Sequence, residues 1–364
     1  MRFSPQLKIN LGRVAIITIS FVLINIFIAF FNDTILRSDF SSGLTSIYDF
    51  RVYLLINIII GLVAGIFGGG SLVVVNSRLF RKKSFRFAIL ATAGVYGLIF
   101  LIAILINGVI SASVRMNTGV PLNEFVAIAF DLMMNNTVIV YFILWGIITL
   151  FTLFLLQIND KFGPGMLVKF LMGKYHHPRL EDRIFMFLDM RSSTTIAEKL
   201  GNEKYFNLLN DLFADITDTI LNHEGEIYQY VGDEIVISWP VAKGIKGANC
   251  LQCYVKIKNT LNELSSHYMN KFGVSPELKA GLHHGQVMAG EVGVIKKDII
   301  YSGDVLNTTS RIQEQCNHYQ VDLLISEETF NIIEDQSQYE LIQLGSIDLR
   351  GREQKVNLNT VRFK

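Results

Sequence analysis

Residues 183–194, RIFMFLDMRSST, decide how the rest of the chain is read. Positions 183–190 form an apolar run of strand length that ends in Asp189 and passes into a turn rich in hydroxyl groups, so they read as a buried strand. An aspartate there is a poor core residue, because burying an unpaired carboxylate is costly. A helix N-cap would explain it, and so would a cation ligand. Outward from this strand, Phe206, Leu209, Phe213, Ile216 and Ile220 recur at helical spacing until Gly225 ends the run. Residues 226–231 and 234–239 then read as two short strands joined tightly at Gly232 and Asp233. A long helix is expected over 247–272, strands near 277–284 and 286–292, and a further helix over 305–316. This pattern suggests an antiparallel or mixed sheet with helices on one face, an α/β (α+β) domain over 183–364.

Upstream the chemistry changes. The 364-residue chain is 18% charged with mean hydropathy +0.36, but only 16 of its 65 charged residues lie in residues 1–157. Four stretches there, 14–32, 52–77, 87–114 and 132–159, carry no charged side chain, and each is long enough to cross about 30 Å of hydrocarbon as a helix. Residues 1–157 therefore read as a four-span α-helical membrane bundle in a lipid bilayer. Arg2, Lys8 and Arg13 precede the first run, and Arg78, Arg81, Lys82, Lys83 and Arg86 crowd the connection after the second. Cation-rich ends stay inside, which predicts a multi-pass protein of the cell (inner) membrane with its N-terminus and the 183–364 domain both cytoplasmic. Gly61, Gly65 and Gly69 leave one face of the second span bare, for packing within the bundle or for contact with another copy. Three cysteines cannot staple a chain of this size, and a net charge of +1 gives no electrostatic footprint for nucleic acid. Residues 158–182 form the joint. Met166, Leu167, Phe170 and Leu171 make an apolar stripe between Pro164 and Pro178, an amphipathic linker suited to coupling or to anchoring.

Three motifs carry candidate chemistry. Asp189 and Asp233, at the ends of neighbouring strands, offer the oxygen clamp that Mg²⁺ prefers. Ser192, Ser193 and Thr194 open the helix after Asp189, where backbone N–H groups suit phosphate. Asn307 and Arg311, in GDVLNTTSRIQ, lie four apart on the 305–316 helix and share a face. An amide beside a guanidinium suits a ribose oxygen and a developing phosphorane charge. With FLDMRSST, VGDE and GDVLNTTSRIQ in that order, residues 183–364 resemble the class III nucleotidyl cyclases of the membrane-anchored bacterial type.

The resemblance implies a ferredoxin-like catalytic fold working as a homodimer, with the site at the subunit interface and two Mg²⁺ (or Mn²⁺) ions per site. It implies Asp189, Asp233 and the backbone carbonyl of Met190 as metal ligands, with Gly232 at the nucleotide. Asn307 and Arg311 would come from the opposite chain, and Arg352 would stand where the family often has a triphosphate-binding lysine. The positions that usually read the purine hold Gln229 and Ile300, which match neither the adenylate nor the guanylate pattern, with Asp298 nearby as a substitute reader. Ile300 offers guanine's exocyclic amine no partner, so ATP is the expected substrate, cyclised to 3′,5′-cyclic AMP. A guanylate cyclase using GTP is the second reading. A diguanylate cyclase would leave Asn307 and Arg311 without a role, and a non-catalytic membrane receptor or regulator would carry the same fold as a degenerate cyclase domain. His283, in GLHHG, is expected to be structural, and Cys250 and Cys253 to be packed in the core.

Overall fold

The computed structural model describes residues 5–38, 49–78, 86–87, 89–98, 136–163, 168–169, 172–347 and 355–363. The chain divides into two compact units, one of residues 7–167 and one whose main body is residues 168–364.

In the first unit three helices are long and apolar enough to cross a membrane, with candidate spans Leu7–Ile35, Phe50–Val74 and Ile139–Lys161. Of the four expected spans, the third is represented by the short apolar helix Ile89–Leu98, and the remainder of that run lies outside the described residues. Large apolar side chains point outward from these helices, Phe27 and Phe67 among them, as suits a hydrocarbon solvent. The glycine face resolves as packing within one chain. A Cβ on Gly61 would come 2.8 Å from Val22 Cα, one on Gly65 would overlap Thr18 Cα, and one on Gly69 would come 2.6 Å from Ile17 Cγ2. The two backbones approach because those side chains are missing. The helix passes through a π-helical stretch, Ala64–Gly69, along this contact. Asn32 Nδ2 donates to both Tyr53 Oη (2.9 Å) and Tyr141 Oη (2.7 Å), which ties all three long helices at one level. Arg13 pairs with Asp160 at 2.5 Å near their opposite ends.

The second unit is built on strand β1 (Arg179–Met190), which pairs antiparallel with β3 (Glu234–Pro240) on one side and β4 (Leu278–Val292) on the other. β2 (Glu226–Val231) flanks β3, and β5 (Asp298–Ser302) returns along the far end of β4. β6 (Leu323–Ser326) runs parallel to β4, followed outward by β8 (Val356–Phe363) and β7 (Tyr339–Ile347). The sheet is thus mixed, as expected. Alternation along β1 assigns its faces. Ile184, Met186, Leu188 and Met190 enter the main core with Leu208, Leu212 and Ile216 of the Asn202–Asn222 helix and Leu251, Tyr254 and Ile257 of the Asn249–Glu263 helix. Each such side chain contributes about 1.5–3 kcal/mol by leaving water. Cys250 and Cys253 are buried in this core. Arg183, Phe185, Phe187 and Asp189 belong to the opposite face.

Three expectations need correction. Helices do not keep to one face, because Asp304–Glu314 packs on the side of Asp189. Gly281 and Gly285 of β4 admit it: a Cβ there would lie 2.5 Å from Gln313 N and 2.6 Å from Val305 Cγ2. The strands expected near 277–284 and 286–292 are one strand, since Gly285 stays in register opposite Arg183. The helix expected over 247–272 starts later and breaks. Ala248 is left-handed, and Leu264 (φ −90°, ψ 0°) separates Asn249–Glu263 from Ser265–Phe272, which lets Tyr268 Oη donate to Asp215 at 2.7 Å.

Candidate active site

Asp189 closes the β1 row that begins with the buried Arg183, Phe185 and Phe187, and Asp233 occupies the two-residue turn between β2 and β3, where Val231 pairs with Glu234. Gly232 makes that turn possible with φ +64°, a conformation that costs a side-chain-bearing residue energy. The turn sets Asp233 beside Asp189 and Ser193. Partial burial, with Asp189 next to it, raises the Asp233 pKa, and Ser193 opposes the shift. Neighbouring Glu234 is pushed up to about 7 by burial first and then by Asp189, Asp233 and Glu314, against the pull of Lys279. Asp233 and Glu234 both feel the charge of Asp189, a surplus that a cation would relieve, although among the described residues no three acidic side chains come together as a metal cage. Two neighbouring aspartates suit Mg²⁺, which is commonly held by one or two carboxylates and completed by substrate phosphates.

Asp189 is not a helix cap. Its Oδ2 accepts from Lys279 Nζ at 3.1 Å and from Gln313 Nε2 at 3.2 Å. Both partners, and Tyr205, whose pKa is raised by burial and then by Asp233, are site residues that no local sequence pattern marks. Ser192 is left-handed (φ 54°) and exposed, and Ser193 and Thr194 follow at the start of the Ser193–Leu200 helix. Arg191 secures this turn from behind through Asp322 Oδ1 (3.1 Å) and the Val321 carbonyl (2.6 Å).

Asn307 and Arg311 are not brought to these aspartates within the chain. Gln313 leaves the Asp304–Glu314 helix toward Asp189, and Arg311, two residues earlier, is rotated by about 200°. Asn307 is exposed and Arg311 half-buried, on the helix side away from Asp189. Gln229 is exposed on β2, Ile300 pairs with Gly290 in the β4–β5 ladder, and Asp298 is exposed and pairs with Lys296 at 2.8 Å. Arg352 lies outside the described residues. His283 is buried against Ser326 Oγ at 2.7 Å, a structural setting.

Residues 176–361 match the family model of the adenylate and guanylate cyclase catalytic domain. The chain belongs to this family. Among curated relatives of this cyclase, adenylate cyclase 2 of Rhizobium meliloti (strain 1021) is 33% identical over 204 residues, covering 56% of each protein. Retinal guanylyl cyclase 2 of Homo sapiens is 30% identical over 172 residues, 46% of this chain and 15% of that one. The matched region thus spans about half of the first relative and far less of the second. Among solved structures, the adenylyl cyclase CyaB from P. aeruginosa aligns with TM-score 0.46 at 20% identity over 52% of this chain and 97% of that one.

Proposed function

We propose that the protein is a membrane-bound adenylate cyclase that converts ATP to 3′,5′-cyclic AMP and pyrophosphate as a homodimer. One observation supports the shared site above all: on the helix that sends Gln313 to Asp189, Arg311 lies about 160° and Asn307 about 120° round from Gln313. A complete site then takes Asp189 and Asp233 from one copy and Asn307 and Arg311 from its partner.

In this reading Asp189, Asp233 and the Met190 carbonyl hold Mg²⁺ or Mn²⁺, two ions per site. The bound metal supplies positive charge that favours ionisation of the ribose 3′-hydroxyl and neutralises the triphosphate. The 3′-oxygen bonds to the α-phosphorus, the bond to the β-phosphate oxygen breaks, and the hydroxyl proton leaves to solvent. Asn307 orients the ribose, and Arg311 faces the charge that grows on the α-phosphate. The Ser192–Thr194 turn and Gly232 receive phosphate oxygens, with Arg352 supplying a further charge. Gln229 and Ile300 face the purine. Guanine's exocyclic amine finds no acceptor on Ile300, which costs about 1–3 kcal/mol and favours ATP over GTP by roughly one to two orders of magnitude. Residues 1–157 cross the inner membrane with both the N-terminus and the catalytic domain cytoplasmic, and 158–182 couple the two parts.

The test uses the full chain in lipid nanodiscs with Mg²⁺ or Mn²⁺. ATP should yield cyclic AMP, and mixing Asp189→Asn chains with Arg311→Ala chains should restore activity that neither has alone. No cyclic nucleotide from ATP or GTP would leave a non-catalytic receptor. Higher kcat/KM for GTP would make it a guanylate cyclase, and no recovery in demonstrated mixed dimers would refute the shared site.

A further inference from the structure

Arg183, buried on the same face of β1 as Asp189, donates to Glu226 at 2.6 Å, to Glu181 at 2.9 Å and to Ser238 Oγ at 3.0 Å. Its guanidinium also lies 4.7 Å from the centre of the Tyr301 ring. That ring packs on Tyr228 at 4.8 Å and meets Phe185 edge-on at 5.6 Å. The backbone N–H of Tyr301 donates to Tyr228 Oη at 3.2 Å. These contacts join two strands that share no ladder, because β2 pairs with β3 and β5 pairs with β4. The sheet curls until β2 and β5 meet over β1, where Tyr301 sits on the buried Arg183 guanidinium and Tyr228 packs against Tyr301. No backbone ladder fixes that separation, so side chains set it. Gln229 and Ile300 are the neighbours of these tyrosines along the same two strands.

We propose that Tyr228 and Tyr301, the latter resting on Arg183, are positioning residues for purine selection: they set the spacing between the strands that carry Gln229 and Ile300. The inference rests on the reading that those two residues face the base. Tyr228 accepts from a main-chain donor, so its hydroxyl locates the β5 backbone itself, whereas the ring stack alone permits sliding.

The test is Tyr228→Phe in the full chain in nanodiscs, which keeps the ring and deletes the acceptor. Binding of 3′-deoxy-ATP and 3′-deoxy-GTP, which lack the attacking hydroxyl, reads selection without turnover. The preference for the adenine nucleotide should fall by about five- to tenfold, whereas a purely structural loss weakens both nucleotides alike. Gln229→Ala is measured in parallel. If Gln229→Ala shifts the preference and Tyr228→Phe leaves it unchanged, the positioning role is overturned and the base-facing assignment stands. If neither variant shifts it, the base-facing assignment itself is wrong.

Discussion

Asp189 and Lys279 are cross-strand partners in the β1–β4 ladder, and their side chains meet at 3.1 Å between Oδ2 and Nζ. Opposite charges facing each other on adjacent strands usually add a few tenths of a kcal/mol up to about 1 kcal/mol. Here both groups are largely buried, and two more carboxylates stand close by. Lys279 therefore supplies the fixed positive charge that keeps the acidic cluster together.

Lys279→Met should lower the stability of the metal-free protein by on the order of 1–3 kcal/mol, because it leaves partly buried carboxylates unneutralised. Millimolar Mg²⁺ should recover a large part of that loss. Thermal unfolding in chelator and then in Mg²⁺ reads both effects, and equal losses in the two buffers would contradict the assignment.

Asp189→Asn and Asp233→Asn should each cut turnover by about a hundredfold or more while the unfolding transition stays cooperative. They should differ in stability. The first strands Lys279, whereas the second relieves the contact that raises the Asp233 pKa. Guanidinium melts of the metal-free variants should rank Asp233→Asn above Asp189→Asn.

Glu234 titrates at about 7 in the folded chain against an ordinary 4.5, and Asp233 is shifted in the same direction. Raised acids are held protonated by the fold, so the folded state binds more protons than the unfolded one between the two values. The Glu234 contribution is full below pH 4.5 and is lost as pH rises through about 7, and Asp233 acts in the same direction. Metal-free protein should therefore lose stability from pH 5 to pH 7.5, and Glu234→Gln should flatten that slope. A slope unchanged in Glu234→Gln would assign the dependence elsewhere.

Gly281→Ala places a methyl group 2.5 Å from the Gln313 backbone nitrogen, a contact that no side-chain rotation relieves. The helix must move away from β4 at a cost of about 1–3 kcal/mol, and the Gln313 bond to Asp189 should be lost with it. Unfolding midpoints measure the first effect, and amide exchange along 304–314 the second.

Much of this arrangement was legible in the sequence. The apolar run RIFMFLDM reads as a buried strand ending at Asp189, and the Gly232–Asp233 pair specifies a two-residue turn, so both aspartates could be placed at strand ends from local pattern alone. Asn307 and Arg311 were legible as a pair by their four-residue spacing. Lys279, Gln313 and Tyr205 were not, since they reach Asp189 and Asp233 through ladder register and helix docking that join residues up to 124 positions apart. The helix on the second face was missed for a related reason. Gly285 reads as a break between two strands and Gly281 as an ordinary strand residue, whereas both are openings, for Val305 and Gln313. In the first unit, charge-free runs reveal spans but not partners, which emerge only in contacts such as those of Gly65 with Thr18 and of Asn32 with Tyr53 and Tyr141.

In the proposed homodimer with shared sites, the divergence of Gln313 and Arg311 around one helix would also shape how lesions are inherited. There a chain carrying Asp189→Asn would spoil one of the two sites in a mixed pair, so a cell with equal doses of both alleles would keep about half its output and the defect would behave as recessive. Put Asp189→Asn and Arg311→Ala on the same chain and both sites of every mixed pair fail, leaving about a quarter. The same two changes thus complement when carried by separate alleles and poison when linked on one.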